Sequence, residues 1–123
     1  MFAGQKQFNA AINHYIEALR ANPDWPEALS NLAWIYATNS DEQLRNGREA
    51  VRLASRAVEL TGRKDPGTLD TLAAAQAETG EFALAITTEE QAANLARQAG
   101  MNEAMQKINT RLESYRQSKP WRD

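Results

Sequence analysis

Few side chains in this sequence are of types that do covalent chemistry, and their spacing argues against it. His14 is the sole histidine and cysteine is absent. A zinc site therefore lacks ligands, and thiol chemistry is excluded. His14, beside Tyr15, reads as a surface residue of a helix. Carboxylates are plentiful, but general acid–base work needs two of them held across a pocket in different environments. The adjacent Glu89-Glu90 reads instead as a solvated helix face. No Gly-rich phosphate loop and no nucleophile motif is present. The sequence predicts no catalytic residue, no cofactor and no metal. The chemistry left is recognition. Trp34 is the leading anchor, because large aromatics concentrate binding energy at interfaces; packing beneath a later helix is its alternative role. Asn31, one turn earlier, could hydrogen-bond an extended peptide backbone or a neighbouring loop carbonyl.

Six helices position these residues. Helix 1 spans about 5–21, with Phe8, Ile12, Tyr15 and Leu19 on one stripe, and Asn22-Pro23 ends it. Asp24-Trp25-Pro26-Glu27 reads as a capping box with a first-turn proline. Helix 2, about 25–38, is apolar almost all round, so neighbours should sandwich it. The loop 39–46 reads as a plain connection in which Ser40 and Gln43 cap one short turn. Helix 3 spans about 47–61, with Ala50, Val51, Ala54, Ala57 and Val58 inward. Gly62 stops it. Asp65-Pro66 opens helix 4, which ends at Gly80. Helix 5 spans about 82–98. Helix 6, about 101–117, carries an apolar seam of Met101, Met105, Ile108, Leu112 and Tyr115 against a polar opposite face. The tail 118–123 reads as frayed.

The helices repeat a phrase. Ala11-Ile12 precedes Ala18-Leu19, Ala50-Val51 precedes Ala57-Val58, and Ala85-Ile86 precedes Ala92-Ala93, each at a spacing of seven. A second phrase alternates with it: Leu29 and Leu32-Ala33, then Leu69 and Leu72-Ala73. Ala11 to Ala50 is 39 residues, Ala50 to Ala85 is 35, and Leu29 to Leu69 is 40. A unit of about 34 residues explains all three if five residues are inserted in the 39–46 loop and one near 63–65. Such self-similarity marks a stack of helical hairpins.

These residues resemble the tetratricopeptide repeat (TPR) family over roughly residues 6–99. Leu29, Leu32, Ala33 and Tyr36 match one first helix of the motif. Leu69, Leu72 and Ala73 match the other, with Gly80 and Phe82 at the turn. Second helices match at Ala11, Tyr15, Ala18 and Pro23, at Ala50 and Ala57, and at Ala85 and Ala92. Gln76 departs from an aromatic slot, and Glu89 departs at another. The resemblance implies an all-α, right-handed superhelical stack of antiparallel helix pairs, a TPR-like solenoid of about six helices. Residues 1–117 then form one domain: a half repeat 5–25, repeats 26–62 and 66–99, and a capping helix 101–117. Leu69–Ala73 with Lys119–Arg122 is similar to the C-terminal ends of large bacterial TPR proteins. The expectation is therefore the C-terminal part of a longer protein.

In TPR architecture the first helix of each pair lines a concave groove. The resemblance implies a non-catalytic module that binds a peptide or protein segment between helices 2, 4 and 6. The groove positions left after the core stripe is removed are Glu27, Ser30, Asn31, Trp34 and Thr38 on helix 2. On helix 4 they are Asp70, Ala74 and Glu78, and on helix 6 Gln106 and Thr110. Only Asn31 matches the carboxylate clamp of some TPR domains. The other groove positions are small or acidic, so a basic or neutral partner segment is expected. A second expectation is a homodimer, because helix 1 reads as lacking its mate. Phe2, Phe8 and Ile12 would form that contact.

Composition bounds the rest. With 123 residues and 42% hydrophobic content the chain is one domain or a piece of one. A net charge of −2 is too balanced for a nucleic-acid footprint. Arg111, Arg116, Lys119 and Arg122 are diluted by Glu103, Glu113 and Asp123, so neither nucleic acid nor membrane insertion is expected. No apolar run reaches a membrane span, and no signal peptide is visible. The lack of cysteine leaves the compartment open, with the cytoplasm as the first expectation.

Overall fold

The computed structural model describes the backbone of residues 2–123 and the side chains of residues 7–123. The helices are α1 (Phe2–Ala21), α2 (Pro26–Thr38), α3 (Gly47–Leu60), α4 (Pro66–Glu78), α5 (Phe82–Gln98) and α6 (Asn102–Arg116). No strand occurs among the described residues. The chain is an all-α helical repeat, and the expected helix boundaries hold to within a few residues.

Local chemistry explains most ends. Pro26 and Pro66 sit in first turns, where a missing N–H costs nothing. The Asp65 carboxylate accepts from the Gly67 and Thr68 amides, both at 3.3 Å. Two of the expected caps differ from the structure. Trp25, not Asp24, is the N-cap of α2 and makes no side-chain bond. The Asp24 carboxylate instead accepts from Arg56 at 2.9 Å. Ser40 does not cap a turn in the 39–46 loop. There the Asn39 side chain accepts from the Asp41 amide (2.9 Å), Asp41 from Gln43 (3.0 Å) and Asn46 from Glu49 (3.2 Å). These short side chains satisfy backbone donors that no helix reaches.

Gly80 closes α4 at φ +85°. The Glu81 amide reaches back to the Gln76 carbonyl (2.9 Å) and the Gly80 amide to Ala77 (3.0 Å). This is a Schellman closure, which needs a left-handed residue. The end of α6 repeats it with a side chain in place. Ser118 has φ +58°, Lys119 donates to the Ser114 carbonyl (3.0 Å), and Ser118 donates to Tyr115 (2.9 Å).

The helices stack in sequence. α2 packs on α3 and α4, α4 on α3 and α5, and α5 on α6, while α1 packs chiefly on α2. The core is largely alanine: Ala33, Ala37, Ala50, Ala54, Ala57, Ala75, Ala92 and Ala96 are all fully buried. Small side chains let the helices approach closely, and Leu29, Leu32, Leu53, Leu69 and Leu72 fill the space between them. α4 is the central element, with every residue from Thr71 to Ala77 buried. On α6 the seam holds at Ile108, Leu112 and Tyr115, whereas Met101 is 44% exposed.

The tail is not frayed. Beyond Ser118 it turns back over the helices. Trp121 packs with Phe82 and Ile86 against Ala73, Ala77, Ala85 and Tyr115. The Asp123 amide donates to the Thr38 carbonyl at the end of α2 (3.0 Å). Burial of the Trp121 ring offsets the loss of chain freedom that would otherwise leave such a segment loose.

Candidate partner-binding groove

A cavity of about 780 Å³ opens between α1, α2, α4 and α6. Its aromatic lining comes from Tyr15 on α1, Trp34 on α2, and Trp25 just before α2. Its polar lining comes from Glu27, Ser30 and Asn31, from Asp65, Asp70 and Thr71, and from Arg111 on α6. The volume lies within the usual range of ligand sites. Trp25 is 42% exposed at the cavity's mouth. The Ser30 hydroxyl donates to Thr71 (2.9 Å), tying α2 to α4 across the floor. The cavity has three carboxylates against one guanidinium. Arg111 is itself neutralised by Asp70 at 2.5 Å and lies 4.5 Å from the centre of the Trp34 ring. The open surface that remains is aromatic and acidic.

The residues expected to form the groove divide into three groups. Glu27, Ser30, Asn31, Trp34 and Asp70 come together in the cavity. Thr38 and Ala74 do not offer open surface, being 1% exposed each. The Thr38 hydroxyl donates back to the Trp34 carbonyl (2.7 Å), and Ala74 is part of the main core. Glu78 is occupied: Arg122 reaches it at 2.6 Å and Arg45 at 3.4 Å. Gln106 and Thr110 are exposed on α6, away from the cavity lining. Of the self-association positions, Phe8 is 41% exposed. Ile12 packs partly against the core, and the Phe2 side chain lies outside the described residues.

The C-terminal segment of the chain reaches two of the lining residues, Trp34 and Arg111. The Trp34 indole N–H donates to the Asp123 carboxylate (2.5 Å), and the Trp121 indole donates to its other oxygen (3.4 Å). The Trp121 ring centre lies 5.6 Å from the Arg111 guanidinium, which therefore stacks near both indoles. Arg45 also donates to the Asn39 carbonyl (2.7 Å), so the 39–46 loop and the tail share Glu78 as an anchor. Three of the four basic residues expected on this surface are paired: Arg111 with Asp70, Arg116 with Glu90 and Arg122 with Glu78.

Beneath the groove lies a buried charged cluster. Glu89 on α5 is fully buried, which corrects its expected place on a solvated face; Glu90 alone is exposed. It meets Asp70 and Arg111, and the Tyr115 hydroxyl is also buried there. With both carboxyls ionised, neither Glu89 oxygen has a hydrogen-bond partner. Burial, then the neighbouring Asp70 charge, pushes Glu89 up to about 11. Asp70 is also raised by burial, against the pull of Glu89 and Arg111. The proton resides on Glu89, because Asp70 faces the guanidinium. A protonated Glu89 then becomes a donor to Asp70. Burial likewise raises the Tyr115 phenol. Among the described residues, no group of histidine, aspartate or glutamate is placed to hold a metal ion.

A family model described as TPR repeat matches residues 1–40, a span covering α1 and α2. Over that span the match supports assignment to the TPR repeat family. No curated protein and no solved structure matches it. Repeats of this family generally mediate protein–protein interaction. Among the described residues, no helix is long and apolar enough to cross a membrane.

Sequence reasoning missed three parts of this site. Glu89 shares the inward register of Ala85, Ala92 and Ala96, and that periodicity marks it as buried. Arg111 carries no local signal, since its partners Asp70 and Trp34 are far away in sequence. The tail's docking was foreshadowed only by a tryptophan in a segment otherwise polar.

Proposed function

We propose that this chain is a non-catalytic protein-interaction module that docks an extended basic or neutral segment in the cavity between α1, α2, α4 and α6. The observation that carries the reading is the cavity's lining. Three aromatic side chains flank Glu27 and Asp65, and the single cation there is already paired. An arginine or lysine entering such a site meets ring faces and carboxylates together. Asn31 is exposed at the cavity and offers amide donors and an acceptor to a peptide backbone. The preformed helices keep the ordering cost of binding on the partner's side.

Selection of a random heptapeptide library on the chain tests this. Enrichment of lysine and arginine, with affinity reduced at least tenfold by Glu27→Lys or Trp25→Ala, is expected. Enrichment of acidic peptides, or binding indifferent to both substitutions, would sink it.

One observation favours a second reading, a homodimer through α1. Phe8 leaves 41% of its surface exposed on a helix that packs chiefly on one neighbour. A second copy would cover it.

A further inference from the structure

Trp34 and Arg111, which line the cavity, also hold a segment of the chain itself: Trp34 bonds Asp123, and Arg111 lies by the Trp121 ring. We infer that the site formed by Trp34, Thr38, Glu78 and Arg111 recognises an aromatic–arginine–acidic segment. The chain's own Trp121-Arg122-Asp123 occupies it as an internal competitor that a partner segment of the same chemistry displaces. The inference rests on the groove being the partner-binding face.

Each of the three tail residues meets a matching group. The Trp121 ring packs against the cluster of Ala73, Ala77, Ala85 and Tyr115 and lies beside the Arg111 guanidinium. The Arg122 guanidinium donates to the Glu78 carboxylate at 2.6 Å. The Asp123 carboxylate takes the Trp34 indole N–H at 2.5 Å. The Asp123 amide also adds a main-chain bond to the Thr38 carbonyl at 3.0 Å, so the segment is read along its backbone too. A hydrophobic anchor, a charge pair and a backbone bond together form the usual grammar of peptide recognition.

The attachment is built to hold and also to release. The segment leaves α6 through Ser118, a non-glycine residue at φ +58°, and Pro120 follows two residues later. Its polar contacts lie at the surface: the Arg122 side chain is 35% exposed, and Asp123 is exposed. Such contacts are individually weak in water. The occupancy therefore depends on tethering, which supplies an effective concentration near millimolar for a short linker. A partner segment that combines the same groups with contacts in the open cavity can outcompete it.

The test uses the full chain and a fluorescein-labelled hexapeptide of sequence Ser-Lys-Pro-Trp-Arg-Asp, blocked at both ends, followed by fluorescence anisotropy. The intact chain should bind it poorly. A full-length variant carrying Trp121→Ala, Arg122→Glu and Asp123→Ala should bind it at least about tenfold more tightly. Placing Glu78→Gln in that variant should reverse most of the gain. Helical circular dichroism verifies the fold, and the milder Arg122→Glu alone gives a smaller gain in the same direction should the triple variant unfold. Equal affinity for intact and variant chains, or no binding by either, overturns the inference. So does a dimer of the intact chain formed by exchanged tails, because the occupant would then be a second copy. Peptide selection that still depends on Trp25 and Glu27 would leave the open-cavity reading standing when this one fails.

Discussion

Arg111 and Asp70 form an ion pair at 2.5 Å, with side chains only 15% and 14% exposed, and it ties the last helix α6 to the central helix α4. The pair also faces Glu89 on α5 and Trp34 on α2, so four helices meet at one guanidinium. Removing one member of such a pair strands the other. Asp70→Ala is therefore expected to destabilise the fold by about 3–5 kcal/mol in urea unfolding. Asp70→Ala combined with Arg111→Met should recover most of that loss, since no charge is left buried. A single mutant within 1 kcal/mol of the parent would mean that water already screens the pair.

The same cluster sets a pH dependence. An ordinary glutamate ionises near 4.5, whereas the folded chain raises Glu89 to about 11. Between these values the native state keeps a proton that the unfolded chain has lost. The stability from this group is fully present below about pH 4.5 and is lost as pH rises towards 11. Asp70, also raised, acts in the same direction. Glu89→Gln imitates the protonated form and cannot ionise. It should match the parent near pH 4 and exceed it by a margin that widens as pH rises through 8, because only the parent's unfolded chain gains by ionising. Thermal melts across that range measure the difference; a gap that stays constant with pH would refute the assignment.

The helices were legible because their signals are local. Pro66 after Asp65, Gly62, Gly80 and the seven-residue alanine phrases all act within a turn or two of themselves. Of the expected groove positions, Glu27, Ser30, Asn31, Trp34 and Asp70 share one cavity because the repeat register fixes which side of α2 and α4 faces inward. Thr38, Ala74 and Glu78 share that side, yet they lie under or against what folds over them. The surroundings of Glu78 depend on Arg45 and Arg122, which a repeat pattern does not encode. Glu89 was legible in principle. Its charge suggested a wet face, while its spacing from Ala85 and Ala92 pointed to a buried one, and spacing decided the outcome.

Ser118 makes the third prediction. It holds a left-handed conformation at the position where α4 uses Gly80. A side chain there costs roughly 1 kcal/mol, partly offset by the extra freedom glycine gives the unfolded chain. Ser118→Gly should thus raise stability by up to about 1 kcal/mol without altering the helical spectrum. A fall in the melting temperature would show that the Ser118 side chain contributes something beyond its backbone angle.

Phe8 decides between the two surfaces. It lies on α1 with 41% of its area exposed, and the partly buried Ile12, Tyr15, Ile16 and Leu19 continue that helix's apolar stripe onto the core. An exposed aromatic on a helix with one principal neighbour is the kind of patch that pairs. Light scattering behind size exclusion, over a hundredfold concentration range, is expected to show a monomer–dimer equilibrium that Phe8→Glu shifts fully to monomer. The substitution lies outside the cavity, so basic peptides selected on the parent should bind the variant unchanged. If the parent is monomeric throughout, α1 tolerates its exposure and the dimer reading falls. If Phe8→Glu abolishes both pairing and peptide binding, the groove forms only in the dimer, and the two surfaces are one site.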